Sequence, residues 1–206
     1  MIPNGDTLVD ISGNGYNGTI INMISTNNGI LSPGDDALIT LATGFTLPLS
    51  GWTVVWRSKM SVIDATQTIL GSSITATSRY IRYNTSGVDY IQVECNDSGN
   101  DSLAIINSHS TNEEDFVITC SNGILKGYQN GVEIGNFTAI VGDDMSVDRL
   151  LAHTDGSSAV FNGKVLDLRI FNYAFSEQEA IDYHNSFNRV TKKGNFTADF
   201  GVGDTI

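Results

Sequence analysis

The 206-residue chain carries 23 acidic against 11 basic residues, a formal charge of −12, with 40% apolar and 17% charged residues. That balance excludes nucleic acid as a partner, because such binding rests on Lys and Arg neutralising phosphates; it also repels anionic glycans and is compatible with divalent cations. The length suits one domain with a sizeable core, and the scarcity of charge leaves a surface of Asn, Ser, Thr and Gly, as on many extracellular and virion β-proteins.

Residues 1–9 include Pro3, Asn4 and Gly5, poor strand formers. No charged-then-apolar leader follows Met1, and no run of about 18 apolar residues is present to insert in a membrane. The protein is therefore expected to stay where it is made or to leave by assembly or lysis, unless Met1 is not the native start. Gly13, Gly15 and Gly18 then match the spacing of a dinucleotide-binding loop, with Asp35 and Asp36 further on. That chemistry needs a helix directly after the glycines. The β-branched run Thr19 to Ile24 reads as strand instead, and Ser32-Pro33-Gly34 reads as a turn, so the nucleotide reading is rejected.

Short alternating segments follow. Trp52, Val54 and Trp56 share one face of a strand and read as core. Further strands are predicted at residues 67–70, 80–83, 90–95, 115–120, 125–129 and 132–134, with hairpin turns at Asn122-Gly123 and Asn130-Gly131. Turn signals every 8 to 12 residues or so mark an all-β sandwich or jelly roll. Within residues 175–187, Ser176 and Glu179 form a capping box before Ala180, Ile181, Tyr183 and His184, predicting one helix of roughly two turns against an end of the sandwich. Cys95 and Cys120 read either as a disulfide or as two half-buried thiols. His109, His153 and His184 are too scattered to build a metal site with them. Six Asn-x-Ser/Thr triplets matter only if the chain passes through an ER.

Four segments now stand in order: "DISGNGYNGTI", "GWTVVWRSKM", "EEDFVITCSNGILKGYQNGVEIG" and "SSAVFNGKVLDLRIFNYAFSEQEAIDYHN". Together they resemble laminin-G-like modules of the concanavalin A-like lectin/glucanase superfamily, over residues about 10 to 185. The resemblance implies a two-sheet antiparallel jelly roll with one convex and one concave face and one short helix near the C-terminus, a module spanning residues 1–187 with a tail at 188–206. In modules of this kind the Asp-x-Ser-Gly-x-Gly loop is a tight corner that in some members helps bind structural calcium. Asp10, with Gly13 and Asn14 and with Asp167 approaching from the other terminus, is the candidate calcium set; a plain Asx turn around Asp10 is the other reading.

The glucanases of this superfamily place acidic residues at alternate positions of one strand. No Glu-x-Asp-x-Glu occurs here, and Glu113-Glu114-Asp115 reads as a solvated loop whose neighbours face opposite ways. A non-catalytic module is expected. Candidate carbohydrate-binding residues are Tyr80, Arg82, Tyr90, Asn96 and Asp101, aromatics to stack on sugars and polar groups to bond hydroxyls. In a strand at 80–83, Tyr80 and Arg82 share one face while Ile81 and Tyr83 share the other, and the apolar Ile81 marks its side as buried. Modules that the chain resembles open with a strand before the Asp-x-Ser-Gly loop, and Phe196, Ala198 and Phe200 alternate as a strand should. Residues 195–202 therefore read either as the strand that fills the vacant opening edge, in the same chain or in a second copy as a homo-oligomer, or as a frayed tail. The expected role is a virion surface module of a phage or virus, a capsid decoration or fibre component that touches capsid or tail proteins and host glycans. The runner-up is a carbohydrate-binding module of a secreted bacterial protein, outside the cell.

Overall fold

The computed structural model describes residues 2–4, 7–10, 12–63, 65–73, 79–84, 90–94, 103–106, 110–138, 144–153 and 159–190. In chain order the strands are β1 (Ile2–Asn4), β2 (Thr7–Val9), β3 (Gly18–Ile21), β4 (Ile24–Thr26), β5 (Gly29–Pro33), β6 (Leu38–Leu47), β7 (Gly51–Met60) and β8 (Gln67–Gly71). They continue as β9 (Tyr80–Asn84), β10 (Tyr90–Glu94), β11 (Leu103–Ile106), β12 (Glu113–Ser121), β13 (Ile124–Gln129), β14 (Val132–Thr138), β15 (Met145–Leu150) and β16 (Asn162–Phe171), before helix α1 (Glu177–Val190). Two antiparallel sheets result. A nine-stranded sheet has the order β1-β2-β3-β6-β15-β8-β9-β10-β11, and a seven-stranded sheet the order β14-β13-β12-β7-β16-β5-β4. This is the predicted jelly-roll sandwich.

Alternation builds the layer between the sheets. Trp52, Val54 and Trp56 of β7 point inward with Phe116 and Ile118 of β12, and meet Ile81, Tyr83, Ile91 and Val93 from the other sheet. The Trp56 Nε1–H donates to the Tyr83 hydroxyl at 2.7 Å, and Trp56 stacks on Phe116 at 5.1 Å. Both Asn-Gly pairs turn as predicted, with φ of 49° and 78° at Asn122 and Gly123 and 50° and 76° at Asn130 and Gly131. Such positive angles suit Asn and Gly and match the twist of the flanking strands.

The other face of the seven-stranded sheet is sealed by α1. Ala180 and Tyr183 pack on Val55, Val117 and Tyr128, flanked by Phe171, Phe175 and Phe187. This explains why β7 is buried on both faces from Trp52 to Trp56. The capping box is present: the Ser176 amide donates to Glu179 at 2.7 Å and the Glu179 amide to the Ser176 hydroxyl at 3.3 Å. The helix is longer than the two predicted turns and runs through Val190, past the expected module end at 187.

Beneath it lies a row of charge. Asp115, Arg57 and Asp167 are cross-strand partners on β12, β7 and β16. His184 Nδ1 meets Asp115 at 2.7 Å, the Tyr183 hydroxyl donates to Asp167 at 3.1 Å, and Arg57 lies over the Phe187 ring at 4.4 Å. Arg57 also pairs with Glu113. The expected solvated loop at 113–115 is thus the start of β12, with Asp115 only 5% exposed. Glu114 turns the other way, as the alternation requires, and accepts from Gln129.

Two further expectations are corrected at the N-terminal end. Thr7–Val9 and Ile2–Asn4 are strands despite Pro3 and Asn4, so β2 occupies the edge beside β3 that was expected to be vacant. Ser32 and Pro33 close strand β5, and the turn begins at Gly34. The glycine loop still leads into strand β3 and not a helix, which upholds the rejection of a nucleotide site. Cys120 is a free, buried thiol. Cys95 and the proposed strand at 195–202 lie outside the described residues.

Burial raises the Asp167 carboxyl above its ordinary 3.8, against the opposing pull of Arg169, and burial likewise raises Asp115 against His184. A native carboxyl with a raised pKa favours the protonated folded state, so its stabilising contribution is complete below the ordinary value and is lost as pH rises through the native one. The urea midpoint should therefore rise as pH falls from about 7 to about 4. Asp167→Asn should flatten that slope, and an unchanged slope would show that the buried row does not titrate.

Candidate functional site

The outward face of the nine-stranded sheet carries no helix among the described residues and is polar. Register fixes which side chains meet there. Thr68, Arg82 and Gln92 are partners across β8, β9 and β10, and Tyr80 is opposite Glu94. Arg149 of β15 is opposite Gly71 of β8. Because Ile81, Tyr83, Ile91 and Val93 point into the core, their neighbours must point out. The strand-face assignment read from residues 80–83 therefore holds.

Tyr80 is the hub of this face. Its hydroxyl donates to Glu94, the Arg82 guanidinium lies over its ring at 3.9 Å, and the His153 ring meets it edge-on at 5.2 Å. Arg82 Nε–H donates to Gln92 Oε1 at 3.0 Å, and Gln92 Nε2 donates to Glu94 at 3.3 Å. Burial first, and then the bond to Glu94, push the Tyr80 hydroxyl well above the ordinary phenol value. It stays protonated and donates. Along β15, Asp148 accepts from the Ser73 amide at 2.7 Å and from the Ser73 hydroxyl, and pairs with Arg149 at 3.5 Å. Arg79 donates to the Ser146 hydroxyl at 3.1 Å. Three of the six arginines of this acidic chain, Arg79, Arg82 and Arg149, thus bond side chains of β15 and β10: Ser146, Gln92 and Asp148.

Of the sequence candidates, Tyr80, Arg82 and Tyr90 come together here, while Asn96 and Asp101 lie outside the described residues. Tyr80 does not fit the stacking role, since it is 4% exposed and its ring is covered by Arg82. Tyr90 is half-buried on the same face as Gln92 and Glu94. Sequence reasoning missed Gln92, Glu94, Asp148 and Arg149. The alternation Tyr90-x-Gln92-x-Glu94 was the available signal.

The Asp10 corner is separate. Asp10 closes β2 and accepts from the Ser12 amide at 2.9 Å, the Ser12 hydroxyl at 2.9 Å and the Tyr16 amide at 3.0 Å. Its own amide donates to Asn17 Oδ1 at 2.8 Å. Burial alone would raise this carboxyl, but the Ser12 and Tyr16 donors outweigh it and hold it below the usual range. Gly13 takes φ of 84°, and both Asn14 nitrogens donate to the Ser12 hydroxyl. Asp167 does not join this set: it lies on β16 of the opposite sheet, under α1, bonded to Arg169 and Tyr183. Among the described residues no group of three His, Cys, Asp or Glu side chains is placed to hold a metal ion.

Comparison with known proteins places the fold. A family model described as Laminin_G_3, of the concanavalin A-like lectin/glucanases superfamily, matches residues 33–180. The chain belongs to that family. Among curated proteins no match was found. Among solved structures, a Trypanosoma rangeli sialidase superposes with a TM-score of 0.64 at 12% identity, covering 92% of this chain and 34% of the sialidase. The chain thus spans about a third of that enzyme's length. A Ruminococcus gnavus IT-sialidase CBM40 superposes with a TM-score of 0.52 at 14% identity, covering 71% of this chain and 96% of the module. The same module bound to α2,3-sialyllactose gives 0.52 at 15% identity, with 80% and 97% covered. At these identities the likeness is one of fold.

Asp10→Ala would leave two amides and a hydroxyl without their acceptor and should cost about 2–3 kcal/mol in chemical denaturation. Asp10→Asn, which keeps one oxygen, should cost less. If the corner is complete without an ion, chelator should not shift the wild-type midpoint; a shift as large as that of Asp10→Ala would make calcium part of the corner.

Proposed function

We propose that this chain is a non-catalytic glycan-binding module and that it binds through the outward face of the nine-stranded sheet, around Arg82, Tyr90 and Arg149. The observation that carries the proposal is the network Tyr80–Glu94–Gln92–Arg82 on the sheet face opposite α1: Tyr80, Gln92 and Glu94 are buried, 4%, 5% and 3% exposed, and hold in place Arg82, which with Tyr90 stays partly exposed. Fixed donors with one half-buried aromatic beside them suit sugars, whose hydroxyls need directional partners and whose C–H faces need an apolar plate. The family fold supports the same reading, and a structural neighbour of module size is known bound to α2,3-sialyllactose.

Several features speak for binding without catalysis. Glycosidases flank the scissile bond with two carboxyl groups, one acid and one base or nucleophile. The carboxylates described on this face, Glu94 and Asp148, are each held by other side chains, and Tyr80 is pushed away from ionisation. The comparisons support the glycan-binding half of the expectation. Decoration of a phage or virus particle, with capsid or tail partners, rests on the sequence reading alone.

The test is binding of the full chain to a broad panel of neutral and acidic glycans, α2,3-sialyllactose included, with calcium and again with chelator. Binding that survives chelation, with no hydrolysis products, is expected, and Tyr90→Ala should weaken it several-fold. Silence of the folded chain across the panel would sink the glycan reading and return particle assembly to first place.

A further inference from the structure

We infer that Arg82 is the specificity-determining residue of this face and that the sugar it reads carries a carboxylate. The inference rests on the glycan-binding reading above and narrows it. Arg82 is held on two sides: its Nε–H by Gln92 Oε1 at 3.0 Å, and the plane of its guanidinium by the Tyr80 ring at 3.9 Å. Both supports are themselves held by Glu94, which accepts from the Tyr80 hydroxyl and from Gln92 Nε2 at 3.3 Å. The Nη edge, with its four hydrogens, has no acceptor among the described residues.

The nearby acids do not neutralise that edge. Glu94 is engaged by Tyr80 and Gln92, and Asp148 by Ser73 and Arg149. A planar guanidinium edge offers parallel N–H bonds that match the two oxygens of a carboxylate. A sugar hydroxyl would use only one of them. Because Tyr80 and Gln92 already fix the guanidinium, little side-chain freedom remains to be lost on binding.

The chain's charge of −12 opposes the approach of such a ligand. Charges farther away than about 8–10 Å are largely screened at physiological salt. They slow the encounter of an acidic glycan more than they weaken its final contact. What decides the contact is the local fork.

Sialic acids and uronic acids both present this carboxylate. Calorimetric titration of the full chain with α2,3-sialyllactose and with trigalacturonate, each beside its carboxyl-reduced form, distinguishes the two sources. Reduction of the carboxyl should weaken binding about tenfold or more in at least one arm, and Arg82→Lys should do the same to the acidic form, because lysine keeps the charge and loses the fork. The reduced ligands test the wild-type protein, so the result does not depend on any variant folding. Equal affinity for acidic and reduced forms, undiminished binding by Arg82→Lys, or binding confined to neutral panel members would overturn the inference and leave the glycan reading standing. Binding to no glycan at all would overturn both.

Discussion

The hydrogen bond from the Trp56 indole to the Tyr83 hydroxyl joins the two sheets at the middle of their core. Trp56 belongs to β7 of one sheet and Tyr83 to β9 of the other, and Ser58 meets the same hydroxyl at 3.2 Å. A buried indole N–H or phenol without a partner is costly, so each group finds its complement across the layer. Phe116 and Phe161 pack around the pair. With Tyr83 turned inward, the alternation of β9 leaves Arg82 no direction but outward, and the same holds for Gln92 and Glu94 beside it. The polar face is thus a consequence of how the core is closed.

The two outer faces of the sandwich have different fates. On the seven-stranded sheet the apolar residues Val55, Val117 and Tyr128 are covered by α1, and the charged row Asp115–Arg57–Asp167 finds partners in His184, Tyr183 and Phe187. On the nine-stranded sheet Tyr80, Arg82, Gln92 and Glu94 bond laterally to one another. Both solutions obey one rule, that a buried polar atom needs a partner. One uses a helix, the other a lateral network.

Local signals were legible in the sequence, and long-range ones were not. Asn122-Gly123, Asn130-Gly131, the Trp52-Val54-Trp56 alternation and the Ser176–Glu179 box each act over a few residues, and each is found where it was read. The helix was underestimated because Asn185 and Ser186 interrupt its apolar stripe, although packing of Phe187 on Tyr183 extends it. Strands β1 and β2 owe their existence to pairing partners and not to propensity, so Pro3 and Asn4 misled. Asp115 looked solvated because the histidine that buries it is 69 residues away. The part of the candidate site that was found, Tyr80, Arg82 and Tyr90, stood out as aromatics and arginines in sequence. Arg149 and Asp148 could not be found, because only strand pairing brings β15 beside β8.

Helix α1 lies on the outside of the seven-stranded sheet, so the backbone leaves Val190 on the side of the sandwich away from Arg82. A support joined at that point would leave the arginine-bearing face clear of its own tether. Several copies on one support would then present that face in parallel, and weak individual contacts would add through effective concentration, with no change in any one of them.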